Sequence, residues 1–328
     1  MSSLNILIYS QQGAIGGSTR MLLNLARFLG KYHSVAVALA RTSTPQATAA
    51  LLQHFPDVTR VPGSASAIHS AGFDLALLHM PFSLEPLDFI SVPRKVAVLM
   101  EMVDLHPIPL LKEHCQQVER IFHLHPEQVE HLPTELQRRL CRLLPIINNI
   151  DFEPIYTKTR YLGAIGGAHK TGLSQSLRFV EELPTEFGLR IWSGRKLTLQ
   201  GLPTPQIQAA LTNIGNGRLE GLPVEVDMRV LMSSFDALLH LPMHGNGTSV
   251  VVSDALNCGK PVILSPLPAY KAAYGSMEGV LFNDIPLAEL VTAVTQWGKA
   301  DFSRTSQAYL ATYDRKQALQ SWRRALEE

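Results

Sequence analysis

The chain has 328 residues, of which 46% are hydrophobic and 17% are charged. A chain of this length can bury a large core, and its length is more natural for two domains than for one. The 29 basic side chains nearly balance the 28 acidic ones, so the charge gives no indication of a nucleic-acid partner. Three widely spaced cysteines argue against a disulfide framework and against a Cys-based metal site.

The same features predict a cytoplasmic protein. The first residues lack the basic region, the long apolar run and the cleavage site of a secretory signal. No window holds about 18 consecutive apolar residues, which a transmembrane helix would need. An odd number of cysteines also fits a reducing compartment.

Apolar runs alternate with helical patterns through the first half. Predicted strands cover residues 5–9, 35–39, 74–79 and 96–100, and a predicted helix covers 19–30. This alternation is typical of βαβ units on a parallel sheet.

A glycine-rich segment, residues 13–17, follows the first predicted strand and opens the helix. Backbone N–H groups at such a turn form an anion site, and glycine lets a phosphate come close. Gly16 and Gly17 are therefore candidate donor-binding residues, although the same glycines are equally compatible with a plain strand-to-helix turn. Dinucleotide binding is disfavoured, because the spacing is not Gly-x-Gly-x-x-Gly and no acidic residue closes the strand 35–39.

The second half repeats the alternation. Predicted strands at residues 161–163, 236–241 and 261–264 alternate with helical patterns at 174–182 and 250–258. Two Rossmann-like α/β domains are therefore predicted.

The most specific pattern covers residues 239–263: a buried strand, a glycine-rich turn, a helix and a second strand. It resembles the donor-sugar motif of retaining GT-B glycosyltransferases of the glycosyltransferase 4 type. That motif commonly reads Pro-Ser-x-x-Glu-Gly-Phe-Gly, followed by Glu-Ala-x-x-x-Gly-x-Pro-Val. Pro242 sets the register, and Asn246 and Asp254 stand where the family has its two glutamates. The spacing is kept while both residue types have changed.

The resemblance implies roles for the residues of this turn. Asn246 is the candidate catalytic residue beside the transferred sugar. Asp254, expected at the beginning of the helix, would accept the ribose hydroxyls, although a carboxylate there could also serve only the helix dipole. The amides of Gly247, Thr248 and Ser249 are candidates for phosphate or sugar oxygens.

Residues 162–172 resemble the family segment Gly-Arg-x-x-x-x-Lys-Gly, whose two cations neutralise the donor diphosphate. Lys170 matches the lysine, whereas Ala164 stands where the arginine is expected. We therefore expect Arg195 or Arg160 to supply the missing charge. The alternative for the lysine is an ordinary surface side chain.

The first domain offers cleft-facing candidates. The family places a histidine after a strand that faces the donor, and Glu101 falls at that position, with Asp104 and His106 close behind. Glu101 and His106 are candidate catalytic residues. His79, which ends the preceding predicted strand, and His244 in the glycine-rich turn are further candidates, since ligands gather at the carboxyl ends of strands. Each could equally be a loop residue satisfied by its neighbours.

The family architecture implied is the GT-B fold, with the parallel sheets of two Rossmann-like domains facing across a cleft. We expect an acceptor-side domain at 1–150, a nucleotide-sugar domain at 151–308 and a helix at 309–328 that returns to the first domain. The junction lies in the segment 145–154, which is similar to the family's interdomain segment.

The function implied is transfer of a sugar from a nucleotide diphosphate sugar to an acceptor hydroxyl, with retention. The acceptor is a glycan, a lipid or a protein, and peripheral membrane association and oligomeric state stay open. No cofactor and no metal are expected, because His123, His125 and His131 do not complete a ligand set. The alternative is a catalytically inactive relative that serves as a binding or scaffolding partner.

Overall fold

The computed structural model describes residues 3–10, 17–39, 45–79, 90–100, 117–124, 129, 132–144, 153–166, 172–193, 204–223, 225, 227–242 and 249–327. The chain divides into two compact units. Unit 1 comprises Met1–Asn149 and Tyr313–Glu328, and unit 2 comprises Ile150–Thr312. The acceptor and donor roles expected for the two parts of the chain stay predictions.

Unit 1 is a parallel sheet with helices in its connections. Its described strands are β1 Asn5–Ser10, β2 Ser34–Leu39, β3 Thr59–Arg60, β4 Leu75–His79, β5 Arg94–Leu99, β6 Arg120–His123 and β7 Leu140–Arg142. The helices described between them are α1 Gly17–Leu29, α2 Pro45–Gln53, α3 Ala65–Ser70 and α4 Thr134–Gln137. The strand order is β3-β2-β1-β4-β5-β6-β7, so the direction of winding reverses between β1 and β4.

The central strands of unit 1 form because they are apolar on both faces. Ile6, Leu7 and Ile8 of β1 are fully buried, and Leu75 and Leu77 of β4 are buried beside them. A parallel sheet that helices cover on both faces requires such continuous apolar strands, and burying each of these side chains stabilises the fold by about 1.5–3 kcal/mol.

Unit 2 has the same kind of topology. Its described strands are β8 Tyr161–Ile165, β9 Gly188–Trp192, β10 Leu219–Leu222, β11 Ala237–His240, β12 Val262–Leu264 and β13 Val280–Phe282. Its described helices are α5 Leu173–Glu182, α6 Thr204–Gly215, α7 Met228–Ser233, α8 Val250–Asn257, α9 Pro268–Tyr274, α10 Leu287–Gln296 and α11 Lys299–Thr312. The parallel order β10-β9-β8-β11-β12-β13 reverses between β8 and β11. The prediction of two Rossmann-like parallel α/β sheets is confirmed.

Unit 1 is completed by a helix from the far end of the chain, α12 Arg315–Glu327. Trp322 on this helix is fully buried, and its Nε1 donates a 2.9 Å hydrogen bond to the carbonyl of Leu144. The indole meets the ring of Phe122 edge-on, with 5.8 Å between centroids. The chain therefore re-enters unit 1 after Thr312 and supplies part of its core.

Candidate functional site

The reversal of strand order in unit 2 brings the carboxyl ends of β8 and β11 side by side. Strands β8 and β11 are hydrogen-bonded neighbours, with Ala237 opposite Leu162. At their carboxyl ends, β8 leads to the loop that contains Lys170, and β11 leads to the loop that contains Asn246. Ligands of open α/β sheets bind in the crevice at such a switch point.

The ends of these two loops are in close contact. Gly172, the last residue before α5, has a φ of +58°. A Cβ at this position would lie 1.9 Å from the carbonyl oxygen of Leu241, just after β11. Only glycine meets both the left-handed backbone and the close approach. The first loop therefore ends against the beginning of the second.

Helix α8 follows the second loop. Ser249 is its N-cap residue and begins it without a side-chain capping bond. Asp254 is buried, with 2% of its surface exposed. The expectation that Asp254 begins the helix is wrong, because α8 begins at Val250 and Asp254 lies in its second turn. Asp254 is four residues after Val250, so it lies on the same face of the helix, one turn further from the N-terminal N–H groups.

Ala164 and Arg160, the two positions considered for a positive charge at the diphosphate, do not lie in the loops at the carboxyl edge of the unit 2 sheet. Ala164 lies inside β8 and is fully buried in the unit 2 core. The position where the family has an arginine is therefore in a strand and not in a loop. Arg160 precedes β8 and therefore lies at the amino edge of the sheet, whereas the loop with Lys170 follows the carboxyl end. The five residues of β8 separate the two edges by roughly 15 Å. The expectation that Arg160 could supply the charge is therefore wrong.

The segment that leads to Arg195 begins at the carboxyl edge of the unit 2 sheet, where the proposed donor site lies. Strand β9 pairs with β8, and the backbone N–H of Gly166 donates a 2.8 Å hydrogen bond to the carbonyl of Trp192. Trp192 is the last residue of β9, so the chain that continues to Arg195 leaves the sheet beside Gly166, at the same edge as the carboxyl end of β8. Arg195 and Lys170 themselves lie outside the described residues.

The carboxyl edge of the unit 1 sheet holds a buried polar pair. His79 ends β4 and Ser10 ends the neighbouring β1. Ser10 Oγ and His79 Nδ1 share a hydrogen bond of 2.8 Å, and both residues are at most 1% exposed. Gly17, one of the predicted donor-binding glycines, is the first residue of α1.

Most of the predicted site residues fall outside the described part of the chain. They are Gly16, Glu101, Asp104, His106, Lys170, Arg195, His244, Asn246, Gly247 and Thr248. The structure brings together Ser249 and Asp254 on α8, and it places His79 and Gly17 in unit 1. Within the described residues, no group of three or more His, Cys, Asp or Glu side chains could hold a metal ion.

Three residues that the sequence did not single out lie next to the segment 243–248: His240, Tyr270 and Tyr274. His240 Nε2 shares a 3.0 Å hydrogen bond with the hydroxyl of Tyr270, and the hydroxyl of Tyr274 donates a 3.4 Å bond to the carbonyl of Ser249. Both tyrosines are buried in α9. A buried tyrosine normally finds a partner for its hydroxyl, so their i,i+4 spacing after the motif was the available signal.

The amino edge of the unit 2 sheet holds a different polar cluster. Lys260 is fully buried, and its Nζ donates hydrogen bonds of 2.8 Å to Thr157 Oγ1 and 2.9 Å to the carbonyl of Phe235. Burial lowers the pKa of Lys260 to about 8. The Asp236 carboxylate accepts 2.7 Å and 2.8 Å bonds from the backbone N–H groups of Thr159 and Arg160.

Cys258, at the end of α8, is not a nucleophile. Its side chain is fully buried, and burial with the nearby charge of Asp254 raises the pKa of the thiol to about 12. A reactive cysteine needs the opposite environment, partly exposed and electropositive.

Solved structures of similar architecture are glycosyltransferases. HepE from Anabaena, crystallised with UDP-glucose, matches with a TM-score of 0.76 at 15% identity over 99% of both chains. A glycosyltransferase from Rickettsia africae matches at 0.70 and 9% identity, over 99% of this chain and 98% of that chain. Sucrose-phosphate synthase from Thermosynechococcus elongatus matches at 0.69 and 10% identity over 98% of both chains. The chain has the GT-B fold.

These similarities and the two parallel sheets confirm the GT-B fold class that the sequence resemblance implied. No protein-family model and no curated protein sequence matches the chain. Among the described residues, no helix combines the length and the apolar character required to cross a membrane.

Proposed function

We propose that the protein transfers a sugar from a nucleoside diphosphate sugar, with UDP-sugars as the first candidates, to an acceptor hydroxyl with retention. The observation that carries the proposal is the close approach of Gly172 to Leu241 at the switch point of a GT-B unit, beside a helix with a buried aspartate, Asp254. UDP-glucose is the ligand of Anabaena HepE, the similar structure with the TM-score of 0.76.

The proposed donor site uses the loops after β8, β9 and β11. Lys170 and Arg195 neutralise the diphosphate, the backbone amides from Gly247 to Ser249 bind its oxygens, and Asp254 accepts the ribose hydroxyls. Cations at the leaving diphosphate stabilise the charge that grows as the glycosidic bond breaks.

The proposed reaction needs no protein nucleophile. The bond between the anomeric carbon and the diphosphate oxygen breaks, and the acceptor oxygen bonds to the same face of that carbon. The proton of the acceptor hydroxyl passes to the leaving diphosphate. This scheme agrees with the inert thiol of Cys258, the cysteine on the helix that carries Asp254.

The test is incubation with a panel of radiolabelled UDP-, GDP- and ADP-sugars, scored for hydrolysis and transfer, beside calorimetry with the free nucleotides. We expect one nucleotide to bind and its sugar donor to turn over, with the product's anomeric configuration, read by NMR, equal to the donor's. Binding without turnover of any donor would indicate the inactive binding partner. No binding by any nucleotide would overturn the site assignment.

A further inference from the structure

Two buried tyrosines on one helix contact both ends of the glycine-rich loop 243–248. Tyr270 and Tyr274 are one turn apart on α9 and are at most 2% exposed. The hydroxyl of Tyr270 shares a 3.0 Å hydrogen bond with Nε2 of His240, the last residue of β11. The hydroxyl of Tyr274 donates a 3.4 Å bond to the carbonyl of Ser249, the N-cap residue of α8. One rigid helix therefore contacts the chain before and after the loop.

Two further contacts strengthen this arrangement. Ser265, between β12 and α9, donates a 2.7 Å hydrogen bond from Oγ to the carbonyl of Pro242, directly before the loop. Ser253 Oγ shares a 3.3 Å bond with the hydroxyl of Tyr274, one turn inside α8. Both the strand that enters the loop and the helix that leaves it are therefore tied to the same neighbouring segment.

The chemistry of these side chains suits a rigid support. Buried aromatic rings are held by the packing around them, and their hydroxyls add a directional contact that an aliphatic side chain cannot make. Burial raises the pKa of Tyr270, so its hydroxyl keeps its proton at neutral pH. Sites perform best when residues behind the ligand-binding groups fix their geometry.

We propose that Tyr270 and Tyr274 are positioning residues, which set the distance and orientation of the two ends of the donor-binding loop. The proposal rests on the proposed function. Both tyrosines are buried, so they act through the residues that they contact. Tyr274 contacts Ser249, whose backbone amide is a proposed diphosphate ligand, and Tyr270 holds the end of β11 at His240. A displacement of about 1 Å at a ligand-binding group can lower a rate by about 100-fold.

Tyrosine-to-phenylalanine variants separate this role from plain packing. Phenylalanine keeps the ring and its buried volume, so Tyr270→Phe and Tyr274→Phe remove only the hydroxyl contacts. Tyr161→Phe is the matched control. The Tyr161 hydroxyl lies 2.8 Å from Glu220 Oε1 and 3.0 Å from the carbonyl oxygen of Gly217, and its one proton is shared between these acceptors at the amino edge of the same sheet.

The experiment measures the Kd of UDP by calorimetry below the unfolding temperature, together with kcat and KM for the donor that turns over. We expect each α9 variant to weaken UDP binding by about 3–10-fold and the double variant to lower kcat by about 100-fold. Tyr161→Phe should lower the Tm and leave the UDP Kd and kcat at wild-type values. Ser265→Ala, which removes only the contact to Pro242, gives the same test if a tyrosine variant fails to fold.

Two outcomes overturn the proposal in distinguishable ways. If the wild-type protein binds UDP and turns over a donor, and the α9 and Ser265→Ala variants do the same equally well, the tyrosines have a packing role only and the proposed function stands. If the wild-type protein binds no nucleotide, the proposed function and the positioning role both fail.

Discussion

The two edges of the unit 2 sheet contain polar groups of different kinds. At the amino edge, Lys260 and Asp236 are held by hydrogen bonds to other groups of the protein. Lys260 is bound by Thr157 and a backbone carbonyl, and Asp236 is bound by two backbone N–H groups. At the carboxyl edge, glycine backbones and helix ends border the loops, and Asp254 lies one helical turn behind them.

The difference shows that a buried charge does not by itself locate a binding site. The pKa of Lys260 is strongly perturbed, a property common at functional sites, yet its partners are structural and it lies at the edge where GT-B ligands are not expected. Changes at the amino edge should therefore alter stability without altering nucleotide binding, and changes at the carboxyl edge should do the reverse.

The largest expected effect concerns the cation at the diphosphate. Arg195→Ala should lower kcat by about 100-fold, because it removes charge that stabilises the leaving group. Arg160→Ala is the control at the amino edge and should leave kcat within about twofold, since its side chain begins roughly 15 Å from the edge of the proposed donor site. Steady-state kinetics with the active donor measures both, and equal effects of the two variants would contradict the division between the edges.

The next effect concerns the ribose. Asp254→Ala should weaken UDP binding by about 2 kcal/mol, roughly 30-fold, because hydrogen bonds to a charged acceptor are lost. Asp254→Asn, which keeps the shape but not the charge, should lose less. Calorimetry checks both variants, and unchanged affinity in Asp254→Ala would remove this residue from the site.

A smaller effect is a pH dependence of stability at the amino edge. The native pKa of Lys260 is about 8, below its ordinary value of 10.5, so between these values the unfolded chain binds more protons than the native one. Stability from this group therefore rises with pH, by about 1.5 kcal/mol from about pH 8 to 9.5. Urea unfolding of wild type and Lys260→Met across this window should show the gain in wild type only.

The Lys260→Met variant also tests whether the amino edge of the unit 2 sheet is independent of nucleotide binding at the carboxyl edge. Lys260→Met should bind UDP with wild-type affinity at every pH at which it is folded. A parallel loss of binding and stability would show that the two edges are coupled through the sheet.

The smallest effect is expected for Asp236→Asn, which keeps the side chain's size and one carbonyl acceptor. It should lower the free energy of unfolding by about 1 kcal/mol, because a carboxylate accepts stronger hydrogen bonds than an amide. Chemical denaturation measures the loss, and the UDP Kd should stay unchanged.

The two strands and the helix around Pro242 were predictable from the sequence, because hydrophobic runs and spacing are local signals, whereas the turn at 243–248 lies outside the described residues. They correspond to β11, α8 and β12. The predicted strand at 161–163 was two residues too short. Gly163 lies in β8, where a Cβ would be 2.4 Å from the ring of Phe235. The glycine serves this close packing, and Ala164, which stands where the family has an arginine, continues the same strand.

Other features depend on contacts between distant residues. Lys260 in a Gly-Lys-Pro turn has the composition of an exposed site, and lysine is rarely buried without partners. Its partners Thr157 and Phe235 are 103 and 25 positions away. The contact between Tyr270 and His240 spans 30 positions. No local period in a single sequence indicates which side chains meet across such distances.

The helix that carries Trp322 has a consequence for biosynthesis. Most of unit 1 precedes unit 2 in the chain, yet its core includes an indole from α12, which follows unit 2. Unit 2 is contiguous, so its whole sequence is available while unit 1 still lacks this helix. Domains generally fold as units during synthesis. Unit 2 can therefore fold as soon as its sequence is complete, whereas unit 1, most of which is translated earlier, is completed only when α12 has been added. Until then, the indole does not cover the ring of Phe122, and this part of the apolar core of unit 1 is incomplete.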